Sequence, residues 1–191
     1  MHHPINYVVD GGRVLLGLVF LCSALSKTRG AAAYRDFRDA VGWLAPALRR
    51  HTAPVAVAVV TAEAAVIVML AVPATVVAGF ALAAVLLLAF TTGLVAALRR
   101  GVSTACHCFG PGDGRLAPRH VVRNLALATV ALAGTATALN TPHIGAAPSA
   151  RLLLTAGVAA VLALITVTLD DLANLFAVSG TEVDATPKAN R

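Results

Sequence analysis

Residues 54–98 read PVAVAVVTAEAAVIVMLAVPATVVAGFALAAVLLLAFTTGLVAAL, an almost unbroken apolar stretch. Pro73 divides it into two runs of about 20 residues, the length at which a helix spans the hydrocarbon core of a bilayer. Pro54 stands where a helix start tolerates proline, and Pro73 marks a helix end. Because no charged residue separates the two runs, the stretch predicts a tight hairpin of two membrane-spanning helices.

Further apolar runs lie on both sides of this hairpin. Of the 191 residues, 58% are hydrophobic and 13% are charged, against about 25% charged residues in a soluble domain. We therefore predict an all-α, polytopic membrane helix bundle with a four-helix core and a fifth span. The spans are expected at about residues 7–26, 53–72, 74–98, 121–139 and 152–169.

These spans form one transmembrane helical domain over residues 1–178 in our interpretation. Residues 179–191 are polar, and we expect them to form a disordered tail.

The connection between the first two spans is polar and basic. Within it, apolar side chains recur at a spacing of three to four residues: Tyr34, Phe37, Val41 and Leu44 or Leu48. This spacing predicts an amphipathic helix at the membrane surface, directly after the first span.

The formal net charge of +6 raises the question of nucleic acid binding. The cations flank the apolar spans, as topology signals do. The sequence also lacks the interleaved aromatic and basic residues that single-strand binders use. We therefore expect the lipid bilayer, and no nucleic acid, as the partner of these charges.

Several charged residues fall within or beside the spans. Glu63 lies near the middle of the second span, where an isolated carboxylate is costly and normally faces the bundle interior. Arg13 and Lys27 lie on one face of the first span, and both are candidate partners of Glu63, as is His107. Two interpretations of Glu63 stay open: a buried proton acceptor, or an ion pair that only fixes helix packing. Arg123, which opens the fourth span, is a further candidate for an ion pair or a structural role.

The tightest cluster of reactive side chains is Cys106, His107 and Cys108, in a Gly/Pro-rich loop after the third span. Cysteines two residues apart can form a disulfide only where the backbone turns, and the resulting strained ring is easily reduced. His107 and nearby arginines would stabilise a thiolate, which is the reacting species. The cluster therefore favours thiol–disulfide exchange, with Cys106 and Cys108 as the catalytic pair and His107 as a modulator.

The same three residues support a second interpretation, which is a metal site. Two thiolates and an imidazole suit Cu(I), or part of a zinc site in which His120 or His51 is the fourth ligand. The protein would then be a non-enzymatic membrane module, similar to a transporter or scaffold. The third cysteine, Cys22, lies in the first span and is either inert packing or a third redox thiol.

Several of these residues together resemble a known family, the MauE/DoxX-like membrane proteins. The loop motif resembles that of the MauE branch in particular. The resemblance covers about residues 8–140. It rests on Arg13-x-x-x-Gly17-x-x-Phe20, Lys27, Glu63, Cys106-x-Cys108-Phe109-Gly110 and Arg123-Asn124.

The resemblance implies a redox-associated membrane protein. MauE-type proteins are linked to the maturation of methylamine dehydrogenase, whose small subunit is rich in disulfides, and are associated with a thioredoxin-like partner. By this resemblance the chain would be a thiol–disulfide oxidoreductase that supports redox maturation of a partner protein, with Cys106 and Cys108 as the exchanging pair. No cofactor is firmly implied, and a quinone or a metal stays open.

The location follows from the spans, but the side of the cysteine loop does not. A multi-pass protein of the cell membrane is expected. The two basic connections on one face hold 11 of the 15 lysines and arginines, which places the cysteine loop in the cytoplasm by the positive-inside rule. The family resemblance favours the outer face, because cytosolic thiols are kept reduced.

Overall fold

The computed structural model describes residues 5–101 and 118–140, together with Gly157. This part of the chain contains helices and no strand. The α-helices are α1 (Ile5–Thr28), α2 (Ala31–Leu44), α3 (Thr52–Ala71), α4 (Val76–Arg99) and α5 (Pro118–Leu139). Two short 3-10 helices, Pro46–His51 and Pro73–Thr75, join α2 to α3 and α3 to α4.

Four of these helices, α1, α3, α4 and α5, are long and apolar enough to cross a membrane. The prediction of an all-α, polytopic membrane bundle is therefore confirmed. Of the predicted fifth span, residues 152–169, only Gly157 belongs to the described part of the chain. The predicted tail, residues 179–191, lies outside it.

The hairpin of α3 and α4 turns within a few residues. Pro73 opens the 3-10 helix between them, and the Thr75 hydroxyl donates a hydrogen bond to the Met69 carbonyl, 3.0 Å away. Gly79 allows the close approach of the two helices, because a Cβ there would lie 3.0 Å from the Leu70 backbone nitrogen. The turn is therefore tight, as the uncharged connection predicted.

The four long helices form a closed ring in the order α1, α3, α4, α5. Arg13, near the start of α1, reaches the last carbonyls of α3, so these helices are antiparallel. The buried Phe80 ring of α4 lies against Gly12 of α1 and Gly134 of α5. Neighbouring helices in the ring therefore alternate in direction. We call the end where α4 stops and α5 starts the loop end, because residues 102–117 join them there.

The helix α2 lies at the loop end and packs against α1, α3 and α4. Its buried residues Phe37 and Val41 contact Ala56 of α3, which confirms the predicted amphipathic pattern. The apolar face is thus covered by the bundle itself. Arg100 holds the other end of α2, since its Nη2 donates to the carbonyls of Trp43 and Leu44 at 2.9 and 3.1 Å.

Candidate functional site

Three polar side chains form a hydrogen-bonded network inside the bundle. Lys27 and Glu63 are 1% and 0% exposed, and Ser23 is also buried. Lys27 Nζ donates to Glu63 Oε1 at 2.7 Å and to Ser23 Oγ at 2.6 Å. The Ser23 hydroxyl donates in turn to Glu63 Oε1 at 3.0 Å. We call these residues the Ser23–Lys27–Glu63 network.

The helices dictate this arrangement. Ser23 and Lys27 are four residues apart on α1, so both side chains lie on one face, and that face packs against α3. Glu63 lies eleven residues after the start of α3, about 17 Å along the helix from the loop end. The long Lys27 side chain reaches it from the last turn of α1.

Two aromatic rings also lie close to the ammonium group. Lys27 Nζ lies 5.0 Å from the centre of the Phe37 ring and 5.7 Å from that of Phe90. Both distances are within the range of a cation–π interaction, which gains strength when the cation is desolvated. Phe37 belongs to α2 and Phe90 to α4, so four helices meet at this one lysine.

The network is electrostatically expensive to build. A charge in the membrane interior normally pairs and marks a functional site by default. Here the pairing is close, yet the second carboxylate oxygen, Glu63 Oε2, is buried without a hydrogen-bond partner among the residues that the structure describes. The carboxylate therefore has the capacity to accept one more hydrogen bond or a proton.

Arg13 lies near the start of α1, at the opposite end of that helix from Lys27. Its Nε donates to the Leu70 carbonyl at 2.8 Å and its Nη2 to the Ala71 carbonyl at 3.0 Å. Nη1 lies 3.9 Å from Asp10 Oδ1. Of the candidate partners of Glu63, the structure thus brings in Lys27, and it places Arg13 at the C-terminus of α3, where a cation is favourable.

The remaining candidates are spread over the loop end. Arg123 and His120 are partly buried in the first turns of α5, next to the buried Asn124. His51 is exposed at the start of α3. Cys22 is a free thiol on the exposed side of α1.

Cys106, His107 and Cys108 lie outside the described residues. Within residues 5–101 and 118–140, no group of three or more His, Cys, Asp or Glu side chains could hold a metal ion. The metal interpretation therefore rests on the loop residues.

Sequence reasoning missed three members of the site. Ser23 could have been found, since it lies one helical turn before Lys27 on the same face. Phe37 was predicted only as part of an amphipathic pattern. Phe90 carried no signal, because it is one of many large apolar residues in α4 and only the packing of that helix brings it to the lysine.

Comparison with known proteins gives one finding. The family model described as "Methylamine utilisation protein MauE" matches residues 5–139, which include all five α-helices. No curated protein and no solved structure gave a significant match. The resemblance to MauE is thereby confirmed, whereas the match does not bear on the likeness to DoxX or on the loop motif.

Proposed function

This chain belongs to the MauE family, and on that premise we propose that it performs thiol–disulfide exchange through Cys106 and Cys108 and so supports the redox maturation of a partner protein. The observation that carries the proposal is the position of the Ser23–Lys27–Glu63 network. The network extends from the loop end, where the chain leaves α4 and enters α5, into the bundle: Lys27 lies in the last turn of α1 at that end, and Glu63 lies about 17 Å along α3 from it. The segment with both cysteines joins the bundle at that same end.

The network supports a functional site because packing alone does not require it. Well-packed apolar side chains of similar volume often stabilise a core as well as a buried ion pair does, or better. The retention of a buried lysine at the loop end, paired with a glutamate near mid-span, therefore favours a functional role for the pair. The reactive cysteines of the sequence supply the chemistry for such a role.

The proposed reaction is a balanced two-electron exchange. One loop thiolate attacks a sulfur of the partner's disulfide, which forms a mixed disulfide and releases a partner thiolate. The second loop thiol, after losing its proton, attacks the mixed disulfide. The loop then holds a Cys106–Cys108 disulfide, and the partner holds two thiols with the protons that the loop gave up. A thioredoxin-like dithiol would then reduce the loop disulfide and restore both loop thiols. In the reverse sequence the loop disulfide oxidises a partner dithiol and becomes the dithiol, and a thioredoxin-like disulfide would return the loop to its oxidised state.

Glu63 has one of two roles in this proposal. Its carboxylate either accepts a proton during exchange or anchors the loop end through Lys27. The two roles make different predictions for an apolar replacement of both Lys27 and Glu63.

The test uses full-length protein in its native membrane, in a Cys22→Ser background. Cys22 is exposed on α1, so its removal should leave exchange intact while eliminating a competing thiol. We expect either single variant, Cys106→Ser or Cys108→Ser, to block turnover, and the one that retains the attacking thiol to accumulate a mixed disulfide with the partner. The double variant should form none and should stop maturation of the partner.

Full maturation with the double variant would refute redox exchange. Metal analysis separates the ligand-site alternative. Stoichiometric copper or zinc in the purified protein that is lost with Cys108→Ser would favour a metal-binding module over exchange.

A further inference from the structure

A groove of about 470 Å³ runs along the outside of the bundle between α1 and α3. It is separate from the Ser23–Lys27–Glu63 network, none of whose residues lines it. Its volume is in the range of small-molecule sites. The walls are mainly apolar, and the lining residues are Asp10, Arg13, Val14, Gly17, Leu18, Leu21, Ile67, Leu70, Ala71 and Pro73.

The polarity of the groove changes along its length. The charged residues Asp10 and Arg13 stand at one end, near the start of α1, and the apolar part continues to Leu21. Leu21 lies eight residues beyond Arg13, about 12 Å along the helix. That length is close to half of the roughly 30 Å hydrocarbon core. The groove therefore runs from the polar boundary of one leaflet toward the bilayer centre.

We propose that this groove binds a single phospholipid, with its phosphate on Arg13 and one acyl chain along the apolar wall. A lipid in a leaflet has the same orientation as the groove, with its polar group at the boundary and its chain toward the centre. Arg13 supplies the cation of the groove lining, and the phosphate would bind it in competition with Asp10, whose Oδ1 lies 3.9 Å from Arg13 Nη1.

Arg13 is already oriented for such a contact. Its Nε and Nη2 are fixed by the Leu70 and Ala71 carbonyls, so little side-chain freedom is left to lose on binding. The guanidinium carries five N–H groups, and it donates two hydrogen bonds within the described part of the chain. The Nη1 contact with Asp10 is 3.9 Å, longer than a hydrogen bond. The remaining N–H groups suit phosphate oxygens, which a guanidinium binds with matching geometry.

Gly17 provides the space for the acyl chain. A Cβ placed at Gly17 would meet no atom within 4 Å, so the groove is open there. Gly17→Leu should therefore fill the groove without disturbing the packing of α1. Gly11 offers a matched control, because a Cβ there also meets no atom within 4 Å and the residue does not line the groove.

The experiment measures lipid binding by native mass spectrometry of the delipidated full-length protein. The probes are a phosphatidylglycerol and the diacylglycerol with the same two chains, which lacks the phosphate. We expect one phosphatidylglycerol per chain, with binding about tenfold weaker for the diacylglycerol and for Arg13→Gln, the effect of losing a charge-assisted hydrogen bond. Gly17→Leu should weaken binding of both probes, and Gly11→Leu should leave both unchanged.

Three outcomes would overturn the proposal. Equal binding of both lipids would show that the phosphate makes no contact that contributes to binding. Equal effects of Gly17→Leu and Gly11→Leu would place the lipid elsewhere. A change in oligomeric state with Gly17→Leu, at constant lipid stoichiometry, would identify the groove as a contact between copies of this chain. None of these results depends on Cys106 or Cys108, so failure of the lipid proposal can be distinguished from failure of the proposed redox function.

Discussion

Lys27 forms a buried ion pair with Glu63, with 2.7 Å between Nζ and Oε1, and this pair gives the first prediction. Glu63→Gln keeps the shape of the side chain and removes its charge. Breaking a buried ion pair costs about 3–5 kcal/mol, because the remaining charge stays buried. We expect the variant to insert into the membrane, to unfold at lower denaturant concentration in detergent, and to mature less of its partner protein.

An apolar replacement of both residues separates stability from function. Lys27→Met with Glu63→Leu removes both charges, so most of the lost stability should return. If Glu63 accepts a proton during exchange, maturation of the partner should remain low in this double variant. Recovery of maturation together with stability would show that the pair only fixes packing and would refute the proton-acceptor role.

The sequence showed which charged residues lie within the membrane spans, where burying a charge is costly, but it did not show which of them contact each other. Glu63 stood out because a carboxylate is rare in the middle of a span, and its interior position could be anticipated. Arg13, Lys27 and His107 were equivalent partners in the sequence. The choice of Lys27 follows from the antiparallel packing of α1 and α3, which brings the end of α1 to Glu63 and the start of α1 to the last turn of α3.

Among the helices, α2 is capped at its C-terminus by the Arg100 side chain. Arg100 donates to two carbonyls there, which helix geometry leaves without internal partners. Arg100→Gln should cost about 1 kcal/mol and should speed amide hydrogen exchange in the last turn of α2. Arg99→Gln is the matched control, because Arg99 is exposed and its side chain makes no hydrogen bond within the described ranges. Equal exchange in both variants would contradict the capping role.

The contact between α4 and α5 makes a second prediction about helices. A Cβ at Gly134 would lie 2.5–2.7 Å from three atoms of the Phe80 ring, which is fully buried and has no room to move. Gly134→Ala should therefore destabilise the bundle by about 1–3 kcal/mol, although alanine favours helix more than glycine does. Gly11→Ala lacks this clash and should be neutral or stabilising. Denaturant unfolding of the two variants in detergent compares them, and equal stability would contradict the clash.

The hairpin and α2 show how far a pattern can predict a helix. Prolines and the uncharged connection predicted the turn between α3 and α4, because these signals act locally. The apolar face of α2 was also predicted, but its partner was not. A face of this width can lie on lipid or on protein, and only the positions of α1, α3 and α4 show that the bundle covers it.

For the molecule as a whole, the alternating helix directions predict a topology. The α3–α4 turn and the cysteine loop should lie on opposite sides of the membrane. The test compares two single-cysteine proteins, one with Ala74→Cys and one with Cys108 as the only cysteine. The exposed Ala74→Cys should react with a membrane-impermeant maleimide on the side of the membrane opposite to the side on which Cys108 reacts. Arg50→Cys, exposed at the loop end, should react on the same side as Cys108. Labelling of Ala74→Cys and Cys108 from one side would contradict the arrangement.

The same labelling addresses the side of the cysteine loop, which sequence reasoning left open. The positive-inside rule counts every cation alike, yet the structure gives several of them other partners. Lys27 is neutralised by Glu63, Arg100 caps α2, and Arg49 lies 5.0 Å from the Trp43 ring. A charge count overestimates the topological signal when its cations serve the fold.

The charges of α1 also have a consequence for the order of events during biosynthesis. Asp10, Arg13 and Lys27 each raise the cost of transferring α1 alone from the translocon into lipid, since a charged residue near a helix centre costs about 2.5–3.5 kcal/mol. Each cation finds partners on α3, which the ribosome makes later. We therefore expect α1 of a nascent chain stopped at residue 51 to integrate less completely than α1 of a chain that continues through α3, as glycosylation mapping would measure. Integration of α1 into the lipid would then be complete only after α3 has been synthesised.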